Sequence, residues 1–450
     1  MNELFGTDGV RGVANEFLTP ELVFALGRAG GHVLARHGAQ RPILVGRDTR
    51  LSGPMLQDAL CAGIASVGLD AWKVGIVSTP AIAFLTRHVG AAAGVMISAS
   101  HNPVEDNGIK FFAGNGCKLA DVLEDEIAAQ VNAHQDLPRP TGADVGEILS
   151  RHRLVSAYLR HCVGLGDRLD GATIVVDAAY GAAYDLAPAV LGTLGATVVR
   201  LHCKPNGKKI NVACGSTDLT ALREAVAAHP GSVGVAFDGD ADRALFIDEN
   251  CEVVDGDRVL AMLARDFKHR GDLPGNAVVA TVMSNLGLEL ALRHMGIELV
   301  RTNVGDRYVL EALLAHGYRL GGEQSGHIID LEANSTGDGI ATAVRVFTLA
   351  KQAGGLRSLR DVMRTYPQVL VNVRVTDRAI VDDPRVRTLV RETEASLSGK
   401  GRILVRASGT EPVIRIMMEG AVESEIRSYA DHIAAKVAAL SAENEGARPM

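Results

Sequence analysis

What this chain lacks already narrows its function. No block of lysine and arginine interrupts it, and 46 basic against 53 acidic side chains leave a formal net charge of −7. Nucleic acid and anionic membrane surfaces need a basic footprint, so neither is expected as a partner. No apolar run approaches the ~18 residues of a membrane span, and the stretch Met1 to Gly9 has neither the basic nor the apolar region of a secretory leader. The expected compartment is the cytoplasm. Six cysteines, Cys61, Cys117, Cys162, Cys203, Cys214 and Cys251, form no C-x-x-C pair. A chain this long needs no disulfide staples, so they are read as reduced thiols, with Cys214 a bystander in its Gly-containing stretch. No residue-level repeat is visible.

What is present describes a folded protein of several domains. Of its 450 residues 47% are hydrophobic and 22% charged, ordinary values for a soluble globular chain. At about 100–200 residues per domain there is room for several compact units. Short β-branched runs alternate with Ala/Leu-rich helical patterns, which predicts an α/β fold on parallel or mixed sheets. Strands are expected at Pro42 to Gly46, Ala93 to Ile97, Thr173 to Asp177, Ala196 to Leu201, Val233 to Phe237, Ala277 to Val282, Glu298 to Thr302 and Tyr318 to Leu320. Helices are expected at Met55 to Val67, Asp121 to Ala133, Ser150 to His161 and Gly339 to Ala353. The prolines of Asp136-Leu137-Pro138-Arg139-Pro140 mark a linker. The boundaries that follow are 1–150, 151–250, 251–366 and 367–450. The last segment has strands at Val369 to Val375, Arg402 to Val405 and Val413 to Met418, reads as a smaller α+β unit, and ends in a tail, Glu443 to Met450, expected to fray. Rhythm alone suggests that the first three units are structural repeats.

Four segments carry chemistry. Asp238-Gly239-Asp240-Ala241-Asp242-Arg243 follows an apolar strand, and carboxylates at alternate positions of a turn converge on a hard cation such as Mg²⁺. An EF-hand register, with Glu249 as its last ligand, is the alternative; Arg243 stands where that loop needs glycine. Ser98-Ala99-Ser100-His101-Asn102-Pro103 ends a buried strand, and Ser100, near His101 and Lys110, suits a nucleophile or phosphate carrier. A plain polar turn would look similar, and no G-x-S-x-G elbow frames the serine. Arg406-Ala407-Ser408-Gly409-Thr410-Glu411-Pro412, with Arg415 beyond, concentrates donors as a phosphate clamp does, although an ordinary hairpin loop is the alternative. Gly321-Gly322-Glu323-Gln324-Ser325-Gly326-His327 lets backbone approach a ligand and offers groups that can bond sugar hydroxyls.

In this order the four segments resemble the active-site loops of the α-D-phosphohexomutases, over nearly the whole chain. The resemblance implies three similar mixed-sheet α/β domains and a smaller C-terminal α+β domain around a central cleft. It implies that Ser100 carries a phosphoryl group as phosphoserine, that Asp238, Asp240 and Asp242 with Ser100 hold one Mg²⁺ per subunit, and that Glu323 and Ser325 bind the sugar. Arg406, Ser408, Gly409, Thr410 and Arg415 would hold the phosphate that is not reacting. Arg11, His101, Lys110 and Arg243 are the cations expected to offset the charge of the phosphoserine, with Lys110 or His327 as proton carrier. Phe5 to Gly12, Thr281 to Gly287, Gly305 to Val309 and Gln324 are similar to the amino-sugar branch. That branch implies exchange of phosphate between O6 and O1 of glucosamine, with glucosamine or glucose 1,6-bisphosphate as activator, in supply of UDP-N-acetylglucosamine for peptidoglycan. A homodimer is also implied. Relatives usually carry Ala-Asn-Gly-Ala where this chain has Ala179-Tyr180-Gly181-Ala182, which puts the packing there in question. Other expectations are glucose or mannose phosphate as substrate, a non-catalytic sugar-phosphate sensor, and a calcium module resting on the EF-hand register alone.

Overall fold

The computed structural model describes residues 4–6, 8–38, 42–133, 137–397, 400–408 and 412–446. Four sheets follow one another along the chain. The first has six strands, β1 Val10–Val13, β2 Ile43–Arg47, β3 Ala71–Ile76, β4 Ala93–Ile97, β5 Asp106–Ala113 and β6 Ile148–Ser150, in the order β1-β5-β4-β2-β3-β6. The second has five, β7 Thr173–Asp177, β8 Thr197–Leu201, β9 Val233–Phe237, β10 Ala244–Ile247 and β11 Val253–Val254, in the order β11-β10-β9-β7-β8. The third has four, β12 Ala277–Thr281, β13 Glu298–Thr302, β14 Leu320–Gly322 and β15 Ile328–Asp330, in the order β13-β12-β14-β15. The last, β16 Gln368–Arg374, β17 Gly401–Ala407 and β18 Val413–Gly420, is antiparallel throughout, in the order β16-β18-β17. The fold is therefore α/β with mixed sheets, plus a small C-terminal α+β part.

The similarity of the first three parts lies in topology rather than in residues. In each, a strand parallel to one neighbour turns back as an antiparallel hairpin: β4 beside β2 returns as β5, β9 beside β7 returns as β10, and β14 beside β12 returns as β15. Residues 98–105, 238–243 and 323–327 are those hairpin connections, each at a strand's carboxyl end, where α/β sheets place ligands. The strands leading in are buried along their whole length because both faces are covered.

Compactness divides the chain into one unit of Met1–Thr281 with Val300–Val362 and another of Val282–Leu299 with Met363–Met450. In the first, the helix Thr79–Val89 is capped by Ser78, whose hydroxyl accepts from Ala81 N, and stops at left-handed Gly90. A cap of this kind contributes about 1 kcal/mol, and this one sets Thr79 facing the second sheet. In the second unit Val369, Ile414, Ile416 and Met418 pack against Ile426, Ala430, Ile433 and Val437 of the helix Glu423–Gly446.

Two expectations fail locally. Ser150 ends a strand, not a helix: residues 148–150 pair parallel with β3, and the helix begins at Val155 after a short turn. The apolar period of that helix is real, but the sheet edge claims its first residues. The last helix runs to Gly446, past the expected start of the frayed tail at Glu443, and residues 447–450 lie outside the described residues.

Candidate active site

The first unit brings Ser100, His101, Arg11, Lys110, Asp238, Asp240, Asp242, Arg243, Glu323, Ser325 and His327 into one constellation. Ser100 is 2% exposed and left-handed, with φ 49°. Its Oγ donates to Asp238 Oδ2 at 2.5 Å and lies 3.2 Å from His101 Nδ1. One carboxylate oxygen from each of Asp238, Asp240 and Asp242 lies within 4.8 Å of the others. All three aspartates are buried, and Asp240 Oδ1 and Asp242 Oδ1 have no hydrogen-bond partner among the described residues. Asp240 is aimed from the first sheet, because Thr79 donates its hydroxyl to Asp240 Oδ2 at 2.5 Å and its N–H to the Asp240 carbonyl at 3.0 Å.

The triplet is electrostatically incomplete. Burial, then the Asp242 and Asp240 charges, push the Asp238 carboxyl well above its ordinary range. Burial and Asp240 raise Asp242 to about 6. Asp240 is the one held low: burial opposes its charge, but donors at Thr79 and Asp238 and the charges of Arg11 and Lys110 outweigh it. Three crowded carboxylates with outward oxygens left unpaired suit a hard divalent cation, which would let all three ionise. The EF-hand register does not survive, since Glu249 accepts from Leu356 N at 2.7 Å and Arg357 N at 2.8 Å, capping a different helix.

Cations surround the triplet. Burial works against the Lys110 ammonium, yet Asp306, Asp8 and Asp242 raise its pKa above the ordinary lysine range. Its Nζ is 3.2 Å from Asp306 Oδ2 and 3.8 Å from Asp8. Arg243 also stays charged: burial is outweighed by Asp242, Asp238 and Glu323. Burial, with Arg243 and Arg11 nearby, pulls the His101 ring down to about 4, so beside an unphosphorylated serine it is neutral at pH 7. His327 is buried, its Nε2 lies 3.8 Å from Asp242 and 3.9 Å from Asp306, and neither ring nitrogen has a hydrogen-bond partner among the described residues.

The sugar loop reaches this group through backbone. Arg243 and His327 form a bridge, Glu323 Oε1 accepts from Gly305 N at 3.2 Å, and Ser325 Oγ lies 3.5 Å from Glu323 Oε2. Behind it, Asp338 takes the Tyr158 hydroxyl at 2.8 Å, and the next residue, Gly339, donates to the Ala241 carbonyl at 3.1 Å. A Cβ on Gly337 would sit 2.3 Å from His327 Nε2, so only glycine fits against that ring.

The remaining segments sort differently. In the second unit Arg406 stands opposite Arg415 across β17 and β18, and the Ser408 carbonyl accepts from Arg378 at 2.8 Å. Burial and then Arg415 lower the pKa of Arg406, a sign that the two guanidiniums crowd each other. Gly409 and Thr410 lie outside the described residues. Asn285, in the stretch Thr281 to Gly287, caps its helix and bonds Glu419, which also pairs with Arg402, so its work is structural. Tyr180 holds φ 55°, a conformation asparagine tolerates better; its ring lies 4.7 Å from His202, and its carbonyl accepts from Thr49 at 2.7 Å. Sequence reasoning gave no role to Thr79, Asp306 or Asp338: nothing local distinguishes Thr79 and Asp338, and Asp306 was noted only as part of the stretch Gly305 to Val309.

Family comparison agrees with this geometry. The phosphoglucomutase/phosphomannomutase models for α/β/α domains I, II and III match residues 2–137, 156–252 and 255–369, and the model for the C-terminal domain matches 370–436. The chain belongs to the phosphoglucomutase/phosphomannomutase family, the phosphohexomutases. Within that family, phosphoglucosamine mutase from Desulforamulus reducens is 51% identical over 438 residues, spanning 96% of this chain and 99% of the relative. Among solved structures, a phosphoglucomutase/phosphomannomutase family protein from Burkholderia thailandensis superposes with a TM-score of 0.81 at 24% identity, covering 97% of this chain and 98% of that one. The N-acetylphosphoglucosamine mutase of Aspergillus fumigatus, solved with GlcNAc-6P and magnesium, gives a TM-score of 0.65 at 19% identity, with 97% and 96% covered. No described helix is long and apolar enough to cross a membrane.

Proposed function

We propose that this chain interconverts glucosamine 6-phosphate and glucosamine 1-phosphate, an isomerisation by intramolecular phosphotransfer through phosphorylated Ser100 and a glucosamine 1,6-bisphosphate. The observation that carries the chemistry is the Ser100 hydroxyl bonded into a buried carboxylate triplet in which Asp240 Oδ1 and Asp242 Oδ1 have no hydrogen-bond partner among the described residues. The choice of sugar rests on the 51% identity to a phosphoglucosamine mutase across nearly the whole chain.

In the first half-reaction the bond from phosphorus to Ser100 Oγ breaks and a bond to O1 of glucosamine 6-phosphate forms. The O1 proton passes to His327, neither of whose ring nitrogens has a hydrogen-bond partner among the described residues, and Ser100 Oγ gains a proton as it leaves, so the serine ends this step as a hydroxyl. Lys110, held as an ammonium by Asp306, screens the transferring phosphoryl with Arg11 and Arg243. The bisphosphate then turns end for end. Its O6 phosphoryl returns to Ser100 Oγ as the serine loses its proton and O6 gains one. Mg²⁺ held by Asp238, Asp240 and Asp242, one per subunit, would polarise the phosphoryl oxygens and neutralise developing charge. Arg406, Ser408 and Arg415, with Gly409 and Thr410, hold the phosphate that is not reacting. Glucose 1,6-bisphosphate would serve as a priming activator. A cytoplasmic homodimer completes the reading, on family resemblance alone.

Proton competition gives a prediction for the metal. The carboxyl of Asp242 titrates at about 6 and must be ionised to act as a ligand. Because the Asp238 carboxyl is also pushed well above its ordinary range, the apparent Mg²⁺ affinity should fall steadily as pH drops from 7 to 5, by about tenfold per unit for each proton that the ion must displace. Mg²⁺ titrations at pH 5, 6 and 7 check this, and an affinity constant across that range contradicts it.

The substrate is tested by competition among the 6-phosphates of glucosamine, glucose and mannose. Glu323 is expected to read ring hydroxyls common to glucosamine and glucose, so discrimination at C2 should be partial: about 2- to 12-fold if one neutral hydrogen bond decides it, more if a charged one does. Glucosamine phosphate should have the highest kcat/KM, with slow turnover of glucose phosphate. A preference for glucose or mannose phosphate would move the chain to another branch of the family.

A further inference from the structure

The backbone of Ser100 is bound far more tightly than a turn requires. A non-glycine residue at φ 49° costs on the order of 1–3 kcal/mol and persists only where its surroundings over-determine it. The Ser100 N–H is taken by Ser98 Oγ at 3.0 Å, and Ser98 in turn donates to Asp48 Oδ2 at 2.6 Å. The Ser100 carbonyl accepts two bonds, from Arg50 Nη2 at 3.0 Å and from Asn211 Nδ2 at 2.8 Å.

Arg50 is wholly buried, which is costly for a cation unless every donor is used. Every donor is used. Nε pairs with Asp48 Oδ2 at 3.0 Å; Nη1 donates to the carbonyls of Pro103 and of Asp106; Nη2 donates to Ser100 and to Asn102, the latter at 2.8 Å. The loop between β4 and β5 is wrapped around one planar fork that lysine cannot imitate. Asn211 arrives from the second sheet's connecting loop, itself left-handed at φ 61°, and bridges the carbonyls of Ser100 and Asn102. Gly239 permits this approach, since a Cβ there would lie 2.5 Å from the Ser100 oxygen and 3.0 Å from Asn211 Nδ2.

We propose that Arg50 and Asn211 are positioning residues for phosphoryl transfer: together they clamp the Ser100 carbonyl and so aim Oγ between the metal-binding aspartates and the transferring phosphorus. Neither contacts the reacting atoms. The inference rests on Ser100 being the phosphoryl carrier. It assigns to Asn211 a task that a packing residue does not have, because its amide is a hinge pin between the metal loop's sheet and the serine's sheet. A displacement of about 1 Å at a reacting atom can cost on the order of 100-fold in rate.

The test uses Asn211→Ala and Arg50→Lys in the full chain, with Ser100→Ala alongside. For Asn211→Ala, kcat should fall about 10- to 100-fold, while KM for glucosamine 6-phosphate and the Mg²⁺ affinity stay within about twofold of the parent protein. Phosphorylation of Ser100 by glucose 1,6-bisphosphate, followed by intact mass, should slow by the same factor as kcat. Arg50→Lys should behave alike and more severely; if it does not fold, Asn211→Ala decides. Parent-like kcat and phosphorylation rate in Asn211→Ala would overturn the proposal. So would a loss shared equally by KM, Mg²⁺ affinity and thermal stability, which would make the residue merely structural. Turnover in Ser100→Ala would instead remove the phosphoserine reading, whatever Asn211→Ala does.

Discussion

Ser100→Ala should lower turnover of glucosamine 6-phosphate by at least about 1,000-fold, close to 4 kcal/mol of transition-state stabilisation. The substitution removes only Oγ. The backbone bonds from Ser98, Arg50 and Asn211 do not involve that atom, so the loop should keep its left-handed turn. Asp238 loses its hydroxyl donor, which raises its proton affinity further and should weaken Mg²⁺ binding modestly. Thermal unfolding should therefore move by only a few degrees, the scale of about 1 kcal/mol. A coupled assay, with intact mass after incubation with glucose 1,6-bisphosphate, checks both halves: no turnover and no phosphoryl adduct. Parent-like turnover would mean that another group carries the phosphoryl.

The second large effect is on metal affinity. Asp240→Asn should weaken Mg²⁺ binding by at least about 100-fold, since changing even groups that merely support a ligand costs 10- to 100-fold, and activity should fall with it. Without metal the effect on the fold should be small. The Asp240 charge is favoured by the Thr79 and Asp238 donors and by Arg11 and Lys110, a gain the amide keeps only in part, while the Thr79 hydroxyl can still donate to the amide oxygen. In chelator the variant should unfold at a slightly lower temperature than the parent; with excess Mg²⁺ the gap should widen by mass action. Calorimetry under both conditions shows the widening. If Mg²⁺ dependence and activity both match the parent, these aspartates are not the metal site.

The chemistry was legible in sequence wherever its groups are close in the chain. Asp238, Asp240 and Asp242 announce themselves because alternate carboxylates after an apolar strand can meet in one turn, and Ser100 because the polar run follows β4 directly. The partners that make those groups work were not legible. Thr79 is 161 residues from Asp240, Asp306 is 196 from Lys110, and Asn211 is 111 from Ser100. Thr79 and Asn211 are ordinary polar residues in their own neighbourhoods, Asp306 stands in a stretch that pointed to a branch of the family and not to Lys110, and only the packing of sheets gives each its task. The basicity of His101 was not legible for the same reason: it is set by burial and by Arg243 and Arg11 rather than by adjacent residues. Among the elements, Ser150, the last residue of β6, was taken for the start of a helix because strand pairing with β3, a tertiary effect, overrode a helical pattern.

The spacing of those partners bears on synthesis of the protein at the ribosome. A nascent chain folded through β11, to Val254, already owns the serine, all three aspartates, Arg50 and Asn211. Lys110 at that stage still lacks the carboxylate that accepts it at 3.2 Å, and Asp242 lacks the imidazole 3.8 Å away. Domains tend to fold in order as they emerge, so early products would hold an acidic pocket before they own the His327 imidazole and the Asp306 carboxylate beside it. Premature termination should consequently yield fragments able to collect divalent ions yet unable to turn over sugar phosphate, and catalytic competence should emerge late, as one event.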